Sequence, residues 1–124
     1  MIDHVSIGVR DLVQARRFYA AVLAPLGFTQ LRAWPTSVGY GRKYPEFWIN
    51  FRPNLVTSDT GVHVCLRAES TQAVDAFHAA ASPAGGSSDG APGLRPEYFA
   101  GYYAAFIRDP DGNRIEAITF VQGK

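Results

Sequence analysis

Two histidines, a glutamate and a cysteine carry the most distinctive chemistry this chain offers. His4 and His63 stand 59 positions apart, and a shift of 59 lays more than the imidazoles over one another. HVSIGVRDLVQARRFYAA falls on HVCLRAESTQAVDAFHAA, with His4/His63, Val5/Val64, Phe18/Phe77, Ala20/Ala79 and Ala21/Ala80 identical. A histidine at the equivalent point of two copies fits a ligand set shared between duplicated modules. Glu116 adds a carboxylate inside RIEAI, where apolar neighbours make an unpaired charge costly to bury and a divalent cation is one way to compensate it. Two neutral imidazoles and one carboxylate make a facial set on an octahedral ion, leaving positions open to substrate oxygens, water or dioxygen. Iron, zinc, manganese and nickel all suit such donors. Satisfied core histidines, helix caps and cross-strand ion pairs are the competing structural readings.

The elements that must hold these groups follow from periodicity. Residues 4–9 and 63–68 alternate as half-buried strands, with Val5, Ile7 and Val9 on one side and His4, Ser6 and Gly8 on the other. In the second copy Val64 and Leu66 oppose His63, Cys65 and Arg67. Asp11 and Ser70, again equivalent, are N-cap residues for helices whose apolar stripes are Leu12, Ala15, Phe18 and Val22, and Val74, Phe77 and Ala81. Each helix covers the apolar side of its own sheet and leaves the histidine side open; Arg16, Arg17 and His78 fall off these stripes and read as surface. Three β-rich runs follow the first helix at roughly 27–33, 37–42 and 46–52, so the first module reads βαβββ. After the second helix, the Gly, Pro and Ser content of residues 82–96 predicts a long loop, with Arg95 and Tyr98 at its end as parts of a mobile lid or an ordinary connection. Two strands then span about 102–108 and 114–120, joined by a reverse turn at Asp109-Pro110-Asp111-Gly112-Asn113. Strand parity puts Glu116 with the histidines and Ile115 and Ala117 with the core. Trp48 on the last strand of module one is its equivalent. Residues of ligand parity, Ser6, Trp48, Asn50, Cys65 and Phe106, are the expected substrate-pocket walls. Tyr102, of the same parity, is the candidate catalytic proton donor or oxyanion partner. Cys65 reads more readily as a small buried hydrophobe than as a nucleophile.

A chain of 124 residues, 47% hydrophobic, supports one compact domain, 1–124, built of module one (about 1–58) and module two (about 59–124). A net charge of +1 without a basic stripe argues against nucleic acid and for a small-molecule partner. No apolar run is long enough for a membrane span, and MIDHVSIGV has no secretory pattern, so a cytoplasmic location is expected. Cys65 is the one cysteine, which excludes an internal disulfide. Gly39-Tyr40-Gly41 lacks the third glycine and helix of a dinucleotide fingerprint.

HVSIGVRDLVQARRFYAAVLAPLGF resembles the opening of the vicinal oxygen chelate superfamily (glyoxalases, bleomycin-resistance proteins and extradiol dioxygenases), and YYAAFIRDPDGNRIEAI resembles its closing strand pair. The resemblance implies an α+β fold in which two βαβββ modules form a cup-shaped half-barrel of mixed sheet, with helices on the convex face. It implies His4, His63 and Glu116 as ligands of a divalent metal, and a metal-dependent enzyme acting on an oxygen-chelating small substrate by dioxygenase, lyase or thiol-transferase chemistry. Glyoxalases carry a carboxylate where Trp48 stands, so their isomerase reaction is not implied; Glu46 shares the parity but lies at the start of its strand. The alternative is a metal-free drug-sequestering protein of the bleomycin-resistance type. Two modules in so short a chain leave sheet edges to cover, so a homodimer is expected, with modules exchanged between chains as one arrangement.

Overall fold

The computed structural model describes residues 1–56 and 59–122. The boundary expected near residue 58 falls on Thr57 and Ser58, outside the described residues.

Module one runs β1 (Val5–Val9), α1 (Leu12–Leu23), a short 3-10 turn (Ala24–Leu26), β2 (Thr29–Trp34), β3 (Ser37–Gly41) and β4 (Phe47–Phe51). Module two repeats it as β5 (Val64–Arg67), α2 (Thr71–Ala81), β6 (Ser87–Leu94), β7 (Tyr102–Arg108) and β8 (Arg114–Phe120). The sheets have the same topology, β1-β4-β3-β2 and β5-β8-β7-β6, with one parallel pair in each, β1 with β4 and β5 with β8. The register fixes the duplication residue by residue. Ser6 lies opposite Trp48 and Cys65 opposite Glu116, so Trp48 and Glu116 occupy the same point of their modules.

Both helices start where the sequence predicts. The side chains of Asp11 and Ser70 accept from the backbone N–H groups of Gln14 and Ala73, satisfying donors that a helix N-terminus leaves unpaired. Ala15, Phe18 and Val22 of α1 and Val74, Phe77 and Ala81 of α2 are fully or almost fully buried, and with Val9, Val38, Ile49, Ile107, Ile115 and Ala117 of the sheets they form one continuous core. Burying a Phe or Ile side chain contributes about 1.5–3 kcal/mol, so the two modules of a chain are held together mainly by this shared interior. The Asp109–Asn113 turn reinforces it. Gly112 takes φ +89°, and the Asp109 carboxylate accepts from the backbone N–H groups of Asp111 and Asn113. The turn then docks on module one: Tyr19 donates its hydroxyl to Asp109 at 2.7 Å, Asn113 Nδ2 donates to the Gly8 carbonyl, and Arg10 pairs with Asp111 at 3.0 Å.

The loop expected over residues 82–96 is where the structure departs most from the sequence reading. The segment read as a long loop holds β6, paired with β7 from Ser87–Arg108 to Leu94–Tyr103 through two register shifts. Glycine and proline mark bulges in a bent strand here, and the hydrogen bonds to β7 outweigh the weak β-propensity of SSDGAPGL. The lid reading loses its basis too. Arg95 N–H donates to the Tyr102 carbonyl and Tyr98 N–H to the Arg95 carbonyl, forming a tight connection. His78, expected on the surface, is half-buried, its Nε2 2.7 Å from Ser88 Oγ of β6. Among the described residues, no helix is long and apolar enough to cross a membrane.

Candidate metal centre

Because the helices occupy one face of each sheet, side chains of opposite parity are left on an open face. Module two presents His63, Cys65, Tyr102, Phe106 and Glu116 there. Glu116, 3% exposed, lies between neighbours on both sides, since Cys65 is its register partner on β5 and Phe106 its partner on β7. One carboxylate oxygen stands 3.1 Å from His63 Nε2; the other accepts from the Tyr102 hydroxyl at 2.5 Å. Burial, and then the Glu116 hydrogen bond, drive the Tyr102 phenol well above its ordinary value, so it stays protonated and donating. The Cys65 residue is exposed in the single chain, which corrects the expectation of a buried cysteine. Its sulfur nevertheless faces the crowded base of the site, where desolvation and the Glu116 charge push the thiol up to about 12. That is the opposite of what an activated nucleophile requires. Aromatic rings close the wall around Tyr102: Tyr98 and Phe120 meet it edge-on, and Phe99 stacks beside it.

Module one carries His4, Ser6, Trp48 and Asn50 on its open face, which line one hollow of about 290 Å³ together with Trp34, Ser37, Tyr44 and Pro45. His4 is exposed. Its Nδ1 lies 2.7 Å from Asp3 Oδ1, and the Tyr44 hydroxyl donates to the same carboxylate. Those hydrogen bonds, His4's first, hold the Asp3 carboxyl below its usual range. A carboxylate on one ring nitrogen fixes the tautomer and leaves Nε2 as the acceptor, the arrangement in which metal-binding histidines are commonly held.

The structure thus brings His63, Glu116, Cys65, Tyr102 and Phe106 together, and His4, Ser6, Trp48 and Asn50 together, on different modules. Among the described residues of one chain, no three His, Cys, Asp or Glu side chains stand close enough to hold a metal ion. His63 and Glu116 bring together two groups of a kind that divalent ions accept as donors, and His4 presents its Nε2 on the other module. Asp3, Trp34 and Arg52 escaped sequence reasoning. Asp3 and Trp34 flank recognisable positions but offer no periodic signal of their own, Asp3 because it precedes β1 and Trp34 because it ends β2. Arg52 continues the parity of Trp48 and Asn50 past the end of β4, where alternation is no longer enforced by pairing.

Paired four-stranded sheets with two helices and two equivalent open faces define a duplicated α+β half-barrel. The sequence matches the Glyoxalase/Bleomycin resistance protein/Dioxygenase superfamily over residues 1–117, and the chain belongs to that superfamily. It is similar to a glyoxalase/bleomycin resistance protein from Albidiferax ferrireducens T118, at 34% identity over 94% of this chain and 95% of that one, with a TM-score of 0.82. A glyoxalase/bleomycin resistance protein/dioxygenase family enzyme from Burkholderia phytofirmans PsJN shares the fold at 22% identity, 97% and 98% coverage and a TM-score of 0.74. A glyoxalase-related enzyme from Fulvimarina pelagi does so at 20% identity, 95% and 86% coverage and a TM-score of 0.72. No curated protein sequence matches the chain.

Proposed function

We propose that the protein is a metal-dependent enzyme whose ligand set is completed between two copies of the chain: His63 and Glu116 from module two of one subunit, and His4 from module one of the other. The observation that carries this reading is the His63–Glu116 pair, a carboxylate 3% exposed turned toward a half-exposed imidazole at 3.1 Å. A bound divalent ion would supply Lewis-acid polarisation of substrate oxygens. The chain's own residues set the rest. Asp3 orients the His4 ring, Tyr102 holds one Glu116 oxygen and fixes the carboxylate rotamer, and Phe106 excludes water from the base of the site. The single Tyr102 proton, held on Glu116 here, can turn to negative charge developing on substrate, which makes Tyr102 the candidate catalytic residue in lyase, transferase or dioxygenase chemistry. Cys65 serves as a neutral wall. Iron, manganese, zinc or nickel fits two imidazoles and a carboxylate, and a soluble cytoplasmic homodimer acting on a small molecule fits the fold.

Metal analysis of the chelator-free protein tests this. Stoichiometric metal, lost in His4→Ala and in Glu116→Ala, is the expected result. One observation favours a second reading, metal-free sequestration of an aromatic compound: the three donors do not meet within one chain. Absence of metal at neutral pH, with ligand binding unchanged in both variants, would establish that reading instead.

A further inference from the structure

The open face of module one has a second organisation, independent of His4. Trp34 stacks on Trp48 with ring centroids 5.1 Å apart and an interplanar angle of 27°, and Trp34 remains 59% exposed. The inner indole lies flat because position 39 is glycine: a Cβ there would stand 2.9 Å from atoms of both Trp48 and Pro45. Ser6 and Asn50 bound the tryptophan hollow and also an adjoining hollow of about 580 Å³, so the two form one trough along β1 and β4. Its far end is basic. Arg52 lines it, and the Arg52 Cγ lies 3.2 Å from where a Cβ on Gly8 would be, so its stem crosses Gly8, the register partner of Asn50. That row is two residues from Trp48, about 7 Å at strand spacing. Arg52 spends one guanidinium nitrogen on the Phe51 carbonyl at 2.9 Å, and no carboxylate pairs with it among the described residues. The tryptophan end has the opposite sign, since Asp3 sits there on His4 and Tyr44.

We propose that this trough binds a planar aromatic ring joined by a short linker to a carboxylate, with the ring on the Trp34–Trp48 stack and the carboxylate on Arg52. The inference names a substrate class for the site proposed above and rests on the open faces being the ligand cavity. Stacked indoles favour a flat ring over an alkyl group of equal volume. Asp3 repels an anion from the ring end, and the Arg52 guanidinium, paired with no carboxylate among the described residues, attracts one at the other, which fixes the orientation. Ser6 and Asn50 lie between, placed to hydrogen-bond a polar group on the linker.

The chain holds two tryptophans, Trp34 and Trp48, both in this trough, so emission excited selectively at the red edge of indole absorption, where the six tyrosines do not absorb, reports on it. Titration in excess EDTA with 3-phenylpropanoate, 3-phenylpropanamide and 3-cyclohexylpropanoate separates the charge from the ring. The acid is expected to bind about tenfold more tightly than the amide and than the cyclohexyl acid, at the low end for a charge-assisted contact. Arg52→Gln should erase the acid-over-amide preference. Trp34→Leu should weaken both phenyl ligands about fivefold, followed through Trp48, and leave that preference intact. Equal binding of acid and amide to the unaltered protein, or no binding of any of the three at millimolar concentration, overturns the proposal. Because the chelator is present throughout, the acid preference persists if only the metal reading is wrong. A metal-replete protein without the preference retires only the aromatic-acid assignment.

Discussion

Mixed dimers separate a metal centre built within one chain from one built across two. Each chain carries the His63–Glu116 pair on module two and His4 on module one, and among the described residues of one chain no third His, Cys, Asp or Glu completes a metal-binding group with the pair. A His4→Ala homodimer and a Glu116→Ala homodimer therefore both lack a complete set. In a heterodimer with cross-chain sites, one site loses both altered groups while the other keeps all three natural ligands. Random exchange at equal concentrations makes about half of all dimers mixed, so about a quarter of the wild-type sites should return. The assay is metal bound per dimer after chelator treatment and reloading, on differently tagged variants refolded together. A mixture that binds no more metal than the separate homodimers refutes the cross-chain assembly. A His4→Ala homodimer with its full metal complement refutes the ligand itself.

Four further predictions follow from named contacts. Asp3→Ala should weaken metal binding about 10- to 100-fold without unfolding the protein, because it frees the His4 ring to turn; competition against a fluorescent chelator measures it, and unchanged affinity would detach Asp3 from the site. In metal-free protein, a thiol raised from 9.0 to about 12 holds roughly a thousandfold less thiolate at pH 8, partly offset by its greater basicity, so Cys65 should react with iodoacetamide about fortyfold more slowly than a small thiol of ordinary acidity. Burial holds the Asp109 carboxyl above 3.8, so its contribution is whole below that pH and falls as pH rises through the folded value; Tyr19 counteracts the shift. Tyr19→Phe pushes the folded value higher and should cost about 1–3 kcal/mol in urea unfolding at pH 7 but less at pH 3.5, an equal cost at both pH values being the contrary result. Tyr40, 2% exposed, has a buried hydroxyl with no partner among the described residues, so Tyr40→Phe should stabilise the fold by about 1 kcal/mol, and a lower urea midpoint would show that the hydroxyl is satisfied after all.

Much of the fold was legible because two signals agreed. The repeat located both helices, and their caps, Asp11 and Ser70, are in place. The strands at 102–108 and 114–120 match because their alternation is interrupted only by a turn whose chemistry is unambiguous. β6 was hidden for a physical reason. Its pairing is imposed by β7 across two bulges, and none of SSDGAPGL carries the β-branched or aromatic side chains through which a strand announces itself. The candidate site was legible up to the limit of parity, which assigned His63, Cys65, Tyr102, Phe106 and Glu116 to one face and His4, Ser6, Trp48 and Asn50 to the other module's face. Parity within a strand says nothing of distances between sheets. Whether His4 of either chain approaches a given Glu116 is decided by how modules associate, and that information lies in surfaces rather than in spacing.

The register adds a step that the repeat alone does not supply. Ser6 opposite Trp48 and Cys65 opposite Glu116 are the same contact made twice, so the two copies have diverged at the position of the proposed ligand Glu116. An indole cannot replace a carboxylate as a donor. It can cover a glycine and carry a second indole, and Gly39 and Trp34 are the two partners that allow it. With Trp48 there, the open face of module one keeps His4 as its proposed ligand and is otherwise aromatic at one end and basic at the other. Module two keeps the carboxylate, buries it between Cys65 and Phe106, and steadies it with Tyr102. On the proposed reading the duplicated halves divide one task, ring and anion recognition with one metal ligand in the first and the buried carboxylate and second histidine in the other, and a cavity that joins the two needs a face from each.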